Sequence, residues 1–501
     1  MAHRFVGENQ LEKYFDPFRR HIVGHDAHFA GPYGRKKIVY ADWTASGRFY
    51  APIERKIIEQ FGPLVGSTHT EETVTGSVMT EAYREAKEII KRHVRAGPRD
   101  VLLATGSGMT GAVCKFQRIL GLRVPEQYRR GMKLRGRKKP VVFVTHLEHH
   151  SNHTTWIESI ADVECIRPDR EGYVDLDHLQ ALLARYKNRE TKIAAVSACS
   201  NVTGICTRYH KIAKVMHANN GLCFVDFAAS APYVDIHMHP KDSAEKLDAI
   251  YFSPHKFLGG PGTPGILIFD SRLYQNRIPD QPGGGTVVWT NPWGRQRYFS
   301  DIEQREDGGT PPFLGTIKAA LSVRLKEEMG IGHLMAREKE LVGMLFRGLR
   351  RIPGLTILAG DVRDRLGIFS FCIDGLHYNL GTALLNDRFG VQTRSGCACA
   401  GTYGHYLFHI SMKKSKTITD RLDRGDWSLK PGFIRISVHP TMTDREVRYI
   451  IESVRSVAEH FRTWRGEYRY DKRTNVFVHA RSGGRYAKLA RTLFEGHYDG
   501  T

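Results

Sequence analysis

The chain has 501 residues, of which 41% are hydrophobic and 10% aromatic, a composition typical of globular proteins with a large buried core. No apolar run approaches the ~18 residues that a membrane helix needs. The polar N-terminus, interrupted by Glu8, Glu12 and Asp16, favours neither a secretory signal nor a mitochondrial presequence. Eight scattered cysteines, several inside apolar runs, are typical of a reducing compartment. We therefore expect a cytoplasmic protein.

Apolar strands and amphipathic helices alternate from residue 100 onward. After an irregular or helical lead-in and a strand over 38–42, helical spacing covers 52–61 and 71–94. The later predicted helices are 105–120, 153–160, 175–186, with Asp175 as its N-cap, and 209–218. The predicted strands are 101–104, 141–145, 163–166, 193–197, 222–226, 249–252 and 266–269. Non-alternating apolar strands between helices predict an α/β fold with a parallel sheet covered on both faces.

A second unit follows the glycine-rich connection after residue 269. Its predicted helices are 337–350, 379–389 and 444–461, and its predicted strands lie near Leu355 and over 368–373 and 433–438. The tail beyond Trp464 is basic and weakly patterned. We divide the chain into a lead-in, a large domain, a small C-terminal domain with contributions from the N-terminal segment, and a basic tail: 1–37, 38–330, 331–464 and 465–501.

One lysine lies in a turn that suits covalent chemistry. The predicted strand 249–252 leads into Ser253-Pro-His-Lys256, and four glycines and two prolines follow before the next strand. Proline and glycine at this density place Lys256 in a tight turn between two strands. A desolvated lysine loses its proton and attacks carbonyl groups. The alternative is a solvent-exposed turn lysine.

Two more features lie at the predicted carboxyl edge of the sheet, where ligands bind in such folds. Thr105-Gly-Ser-Gly-Met-Thr110 opens a helix, and the free backbone N–H groups of that helix start favour an anion such as phosphate. Asp226 ends an apolar strand, where a carboxylate needs a partner such as a cationic ring nitrogen. The alternatives are an ordinary helix cap in the first case and a backbone cap or arginine pair in the second.

Two clusters carry histidine or cysteine. His146, His149, His150 and His153 have spacings of three and four residues, but they start at a strand end and no cysteine or carboxylate at suitable spacing completes a metal site. An imidazole stacked on a flat ring, at His149 or His150, is our interpretation. Cys397-Ala-Cys399 is too closely spaced for the usual zinc pair. A thiolate there, favoured by nearby Arg394, predicts a nucleophile; an inert pair is the alternative.

A phosphate cradle, a stacking histidine, a strand-end aspartate and a turn lysine, in that chain order on a parallel sheet, are what a pyridoxal 5′-phosphate (PLP) site needs. The chain resembles the fold-type I, class V aminotransferase-like enzymes, in the branch of the cysteine desulfurases and selenocysteine lyases. The resemblance runs from about residue 38 to 454. The motifs that carry it are Tyr40-Ala-Asp-Trp-Thr-Ala-Ser46, Glu148-His-His-Ser-Asn152, Ser200-Asn-Val-Thr-Gly204, Val225-Asp226, Ser253-Pro-His-Lys256, Gly309-Thr-Pro311 and Arg394-Ser-Gly-Cys-Ala-Cys399.

The resemblance implies a large domain on a mostly parallel seven-stranded sheet, a smaller C-terminal α+β domain, and a role for each matched residue. Lys256 would hold PLP covalently, Asp226 would pair its ring nitrogen, and His149 would stack on the ring. The phosphate would be held by Ser107, Gly108, Ser253 and His255. Thr310 would reach the neighbouring subunit's cofactor, which implies a homodimer. The substrate would be held by Asn201, Arg394 and Arg435, and Cys399 would take its sulfur as a persulfide.

The implied reaction is conversion of L-cysteine to L-alanine, with a sulfur-acceptor protein as a further partner. Three departures from the desulfurase pattern are Ala229 in place of a glutamine, Ser107-Gly108 in place of paired threonines, and a longer segment between Cys399 and Arg435. The alternative is other class V PLP chemistry (transamination, lyase or racemase) with a structural Cys399. A remote alternative is a non-catalytic nucleic-acid-binding protein that uses the basic segment 123–139 of this chain of net charge +21.

Overall fold

The computed structural model describes residues 10–129, 131 and 134–495. Residues 1–9 of the predicted lead-in, Arg130 and Lys133 of the basic segment, and 496–501 of the tail lie outside the described residues. Within the described part of the chain, no helix combines the length and the apolar character needed to cross a membrane.

A seven-stranded sheet forms the centre of the molecule. In chain order its strands are β1 Asp100–Thr105, β2 Val141–Thr145, β3 Asp162–Ile166, β4 Lys192–Ser197, β5 Leu222–Asp226, β6 Ala249–Phe252 and β7 Gly265–Asp270. Their order across the sheet is β1-β7-β6-β5-β4-β2-β3, and β7 alone runs antiparallel to its neighbours. All five residues of β2 are buried, which explains its continuous apolar sequence. The prediction of a mostly parallel α/β sheet is confirmed.

Helices cover both faces of this sheet. Those with side chains in its flanking cores are Val74–His93, Gly108–Ile119, Thr154–Ile157, Leu176–Arg185, Tyr209–Ala218 and Phe313–Met329. The predicted N-cap Asp175 is confirmed, since its carboxylate accepts the His178 N–H at 3.0 Å. The predicted helix over 153–160 is shorter in the structure, where a 3₁₀ turn at His150–Asn152 precedes Thr154–Ile157. Two cores therefore fix the sheet from opposite sides.

A four-stranded antiparallel sheet forms the second unit. Its strands are β8 Leu355–Ile357, β9 Ile368–Ile373, β10 Arg394–Gly396 and β11 Phe433–Ser437, in the order β8-β9-β11-β10. Three helices pack into its core: Ile331–Leu349, Tyr378–Phe389 and Asp444–Trp464. The N-terminal strand Val39–Tyr40 pairs in parallel with Val391–Gln392, so the start of the chain packs against this unit.

Several elements went unpredicted. They are the hairpins Val287–Thr290/Gln296–Tyr298 and Tyr468–Asp471/Val476–His479, and the helices Gly401–Leu407, Met412–Asp423 and Arg485–Thr492. The description of the tail as weakly patterned was therefore wrong. Its hairpin packs against the small unit through Tyr468, whose hydroxyl donates to Asp387 at 2.9 Å. The remaining short elements are the helices Gln10–Tyr14, Asp16–Arg20, Ala51–Lys56, Glu126–Arg129 and Ile302–Glu306, a π turn Ile57–Phe61, and the strands His28–Gly31 and Gly34–Lys37.

Candidate active site

The carboxyl ends of the central strands open into a single cavity of about 410 Å³. Asp226 ends β5, and Lys256 closes the short 3₁₀ turn that follows β6. Topology brings these side chains together, because neighbouring parallel strands end at the same edge of the sheet. Of the predicted site residues, those that line the cavity are Ser107, Gly108, His149, Asn201, Asp226, Ser253, His255, Lys256, Arg394 and Arg435. Thr310 and Cys399 are not among them.

Lys256 and Asp226 form the electrostatic centre of this cavity. Withdrawal from water lowers the pKa of Lys256 to about 8, against the opposing pull of Asp226, and the guanidinium groups of Arg435 and Arg394 lower it further. Burial likewise raises the pKa of Asp226, although the Ala228 N–H and Lys256 both favour its charged form. An amine poised near neutral pH beside a buried carboxylate is suited to covalent and proton-transfer chemistry.

The predicted anion cradle lies at the start of the helix Gly108–Ile119. Ser107 has a left-handed backbone (φ 63°), and the Met109 N–H donates to Ser253 Oγ at 2.8 Å. A Cβ at position 108 would stand only 2.9 Å from Ser253 Oγ and 3.7 Å from the His255 ring. Glycine therefore lets both side chains approach the helix start closely. Backbone N–H groups, a hydroxyl and an imidazole converge there in the way a phosphate requires.

His149 lies in the same cavity as a neutral imidazole. Its Nδ1 accepts the Ser151 N–H at 3.1 Å, so that nitrogen carries no proton. Burial, followed by the positive charge of Lys256, lowers its pKa to about 3. A flat, uncharged ring held in this way is suited to stacking on another aromatic ring.

The carboxylate of Glu148, next to His149 in the chain, is buried and accepts several hydrogen bonds. It accepts hydrogen bonds from the side chains of Thr145 (2.6 Å), Ser197 (2.6 Å) and Asn152 (2.7 Å), and from the backbone of Ser197 (2.9 Å). It thereby ties the ends of β2 and β4 together. No role was predicted for Glu148 from the sequence. A carboxylate directly after an apolar strand, with hydroxyl residues nearby, was the available signal.

Arg394 and Arg435 lie directly opposite each other on the antiparallel strands β10 and β11. Like charges in this arrangement repel unless each finds a partner. Arg435 pairs with Asp42 at 2.6 Å and donates to the backbone oxygen of Asn201 at 2.9 Å. Arg435 Nε and Asn201 Oδ1 remain buried without a hydrogen-bond partner among the described residues. Arg435 Nε is a donor available to a ligand's carboxylate, whereas Asn201 Oδ1 is an acceptor available to an N–H group of a ligand. Asp42 was also missed, although it ends a predicted strand.

The loop that carries Cys399 is held by contacts from the large sheet. Its carbonyl oxygen accepts the His150 N–H at 2.7 Å, and Asn201 Nδ2 donates to the oxygen of Ala398 at 2.7 Å. Arg394 Nη2 lies 3.5 Å from Cys399 Sγ, so a cation faces the thiol. Cys399 lines a second, neighbouring cavity, and Ala398 lines both. The loop is thus the wall between the two cavities.

Other predicted features lie away from the cavity. Thr310 is exposed, so its role toward a neighbouring subunit stays a prediction. His146 packs between the rings of Tyr403 and Tyr406, and His153 bonds to Thr402 at 3.1 Å. Cationic side chains of the basic segment form ion pairs within the chain: Arg129 with Glu158, Arg137 with Glu190, and Lys139 with Asp162. These pairs reduce the positive charge that the segment presents to other molecules.

The cavity fits PLP by its donor set. It offers a buried amine, a carboxylate, a neutral flat ring and a helix start crowded with donors, each of which matches one part of that cofactor. The fold and this site define a PLP-dependent enzyme of fold type I.

Comparison with known proteins places the chain within this class. The family model described as aminotransferase class-V matches residues 39–450, and the chain belongs to that family. A protein of Staphylococcus epidermidis named as a probable cysteine desulfurase is 27% identical over 370 residues, which cover 73% of this chain and 84% of that protein. The solved apo structure of a cysteine desulfurase from Thermococcus onnurineus superposes with a TM-score of 0.69 at 21% identity, covering 92% of this chain and all of that one. A cysteine desulfurase from Escherichia coli gives a TM-score of 0.69 at 20% identity, covering 89% and 98%.

Proposed function

We propose that the protein is a cysteine desulfurase, which converts L-cysteine to L-alanine and keeps the sulfur as a persulfide on Cys399. The observation that carries the proposal is the position of the Cys399 thiol. It lies 3.5 Å from Arg394 Nη2, on a loop bonded through Ala398 to Asn201 at the wall of the Lys256 cavity. The loop therefore holds a candidate sulfur nucleophile beside the cavity in which the substrate would bind.

In this proposal Lys256 holds PLP covalently, Asp226 pairs with its ring nitrogen, and His149 stacks on its ring. Ser107, Gly108, Ser253 and His255 hold the phosphate. PLP, when bound, supplies an electron sink for the substrate's carbon skeleton. Because its pKa is lowered to about 8, Lys256 Nζ is able both to take and to return a proton near neutral pH once it is released from the cofactor.

Arg435 receives the carboxylate of the amino acid, and Asn201, whose free Oδ1 is an acceptor, binds a donor group of the same substrate. Arg435 is buried and already shares one donor with Asp42, so its free Nε and the fixed guanidinium plane set the substrate's orientation. Cys399, as thiolate, attacks the substrate sulfur. A sulfur–sulfur bond forms and the carbon–sulfur bond breaks, leaving its electron pair with the carbon skeleton, which takes up a proton to become alanine.

A homodimer in the cytoplasm is part of the same proposal, with an acceptor thiol that takes the sulfur from Cys399. Thr310, which is exposed, would hold the phosphate of the neighbouring subunit's cofactor. Support comes from exposed apolar side chains on the hairpin that precedes it, where Trp293 is 83% exposed and Trp289 44%. Sedimentation of the holoenzyme measures the assembly, and a monomer with full activity would contradict it.

One observation favours a second candidate function. Cys399 lines the neighbouring cavity and not the one that holds Lys256, and Ala229 stands where the desulfurases have a glutamine. Other class V chemistry, such as transamination, needs no thiol at that position. Keto acid formed during turnover, without alanine and persulfide, would identify it.

The deciding experiment incubates the holoenzyme with L-cysteine and measures alanine and protein-bound sulfane sulfur together. We expect equal amounts of the two in a first turnover. The Cys399→Ser variant should lose the bound sulfur, and the Cys397→Ser variant serves as the matched control in the same loop. Undiminished alanine and sulfide release from Cys399→Ser would remove the proposed role of this thiol.

A further inference from the structure

A second cavity, of about 900 Å³, lies on the far side of the Cys399 loop. Its walls come from the helices Tyr378–Phe389 and Met412–Asp423, the turn between Trp427 and Pro431, and the C-terminal hairpin. We call it the acceptor chamber. The hairpin is fixed to its floor, because Asn475 Nδ2 donates to the Tyr378 hydroxyl at 2.7 Å and that hydroxyl donates to the Lys430 backbone oxygen at 2.9 Å. The chamber is therefore a built part of the fold.

The two cavities differ in volume, which suits them to different ligands. The Lys256 cavity, at about 410 Å³, lies at the lower end of the volumes of small-molecule sites (~300–1,000 Å³), and it has to hold the cofactor together with the amino acid. The acceptor chamber has twice that space and touches Cys399 from the other side. Since Cys399 lines this chamber and not the Lys256 cavity, a molecule bound here contacts Cys399 outside the space lined by Lys256.

The lining of the chamber defines what it would bind. Trp427, Tyr378 and Phe477 supply aromatic surface. Among its described lining residues there is no aspartate or glutamate, whereas Lys430 contributes a cation. The Lys430 ammonium lies 4.4 Å from the centre of the Trp427 ring and forms no ion pair within the described residues. An aromatic wall with one uncompensated cation is complementary to a flat ring that carries a negative charge.

We propose that the acceptor chamber binds a small aromatic anion with a thiol group, which removes the sulfur from Cys399. This inference rests on the proposed function, because it needs the persulfide. The acceptor thiolate attacks the outer sulfur of the Cys399 persulfide, and a new sulfur–sulfur bond forms on the acceptor. The bond between the two sulfurs of the enzyme breaks, and Cys399 leaves as a thiolate. Atoms and electrons balance without an added oxidant.

Binding is tested first on the holoenzyme with 2-hydroxybenzoate, an unreactive aromatic anion, by titration calorimetry. We expect saturable binding at one site per chain that the Lys430→Gln and Trp427→Ala variants each weaken roughly tenfold. The matched controls are Lys416→Gln, which is 75% exposed on the wall helix Met412–Asp423, and Trp293→Ala; neither side chain lines the chamber. Absent binding, or equal loss in the controls, would overturn the assignment of the chamber.

Transfer is tested by steady-state alanine production with 2-mercaptobenzoate as acceptor and 2-mercaptoethanesulfonate as an aliphatic anion of matched charge. The first-turnover amount of alanine counts the competent sites. We expect the aromatic thiol to saturate at a concentration roughly tenfold lower than the aliphatic one, and Lys430→Gln to abolish that preference. Equal behaviour of the two thiols, or sulfur release only to an added protein, would refute the proposal. Absence of any first-turnover alanine would instead refute desulfuration, and 2-hydroxybenzoate binding would still decide whether the chamber takes aromatic anions.

Discussion

The two cavities on either side of the Cys399 loop are built in different ways. The Lys256 cavity lies where consecutive strands of one sheet end, so the topology of the sheet brings its residues together. The acceptor chamber is assembled from segments far apart in the chain, including the tail hairpin Tyr468–Asp471/Val476–His479. The first is held by a buried hydrogen-bond network, whereas Trp427 and Tyr486 in the second are 37% and 52% exposed. We infer that the topology of the sheet positions the reacting groups and that the segments lining the acceptor chamber determine which acceptor binds.

The largest expected effect comes from the lysine of the first cavity. Lys256→Ala removes the amine that, in the proposed function, holds the cofactor and moves the proton, so alanine formation should fall by about 10³-fold or more. The variant should also lose the visible absorbance of the covalently held cofactor. Lys246→Ala, a lysine paired with Asp248 just before the same strand, is the matched control. A coloured, active Lys256→Ala protein would show that the amine of the first cavity has no chemical role.

The next effect concerns the rigidity of the first cavity. In Glu148→Gln, an amide N–H₂ replaces either Oε1, which accepts from the Thr145 hydroxyl and the Ser197 N–H, or Oε2, which accepts from the Ser197 hydroxyl and Asn152. Leaving buried donors without an acceptor should lower the free energy of unfolding by about 1–3 kcal/mol. Glu158→Gln, at an exposed ion pair with Arg129, should cost less than about 1 kcal/mol. Denaturant unfolding of both variants measures the difference. Equal losses of unfolding free energy would show that the hydrogen bonds of Glu148 stabilise the protein no more than an exposed ion pair does.

A third prediction concerns the pH at which Lys256 reacts. Burial lowers its pKa to about 8, and the neutral amine is the form that attacks an aldehyde. Recombination of the apoenzyme with PLP should therefore quicken about tenfold per pH unit below pH 8 and level off above it. His149 and His255, with pKa values lowered to about 3 and about 4, stay neutral over this range. Stopped-flow absorbance measures the rate. A rise that continues to the pH at which a free lysine titrates would show that the amine is not desolvated.

How well the sequence predicted these regions follows from the same contrast. Buried strands such as Val141–Thr145 are continuous apolar runs, and Asp226 and Lys256 stand where such runs end. The hydrophobic pattern and the position in the chain were therefore enough to predict these strands and the location of the two residues. The role of Glu148 was signalled only in part: Asn152 lies four residues along the chain, but Ser197 belongs to another strand and meets Glu148 only through the sheet.

The acceptor chamber could not be predicted from the sequence for a similar reason, although its elements show local sequence patterns. In the tail hairpin, Tyr468 and Tyr470 alternate with polar residues, and Asn475 takes the left-handed backbone that a tight turn needs (φ 59°). The helix Met412–Asp423 places Ile418 and Leu422 on one face, toward the chamber. These signals predict elements. That the elements enclose a space beside Cys399 depends on long-range packing, which no local pattern contains.

The smallest expected effect tests the wall between the two cavities. The His150 Nε2 accepts the Gly401 N–H at 2.9 Å, which joins the turn after β2 to the loop that carries Cys399. His150→Ala leaves that N–H without its acceptor, a loss of about 1 kcal/mol in loop positioning. First-turnover persulfide formation should slow about fivefold to tenfold. Cofactor binding should not change, since none of these atoms lines the Lys256 cavity.

Two further variants decide whether the hydrogen bond between His150 and Gly401 positions the loop. His150→Gln keeps an oxygen that is able to accept the Gly401 N–H, so it should recover most of the lost rate. His153→Ala, which loses only a bond to the Thr402 hydroxyl, should change the rate less than twofold. Burial and the charge of Lys430 lower the pKa of His150, which keeps Nε2 an acceptor at neutral pH. Acidification should slow the wild type toward the rate of His150→Ala, because protonation of Nε2 removes the same bond. If acidification slows the wild-type enzyme no more than it slows His150→Gln, the loop keeps its position without this hydrogen bond.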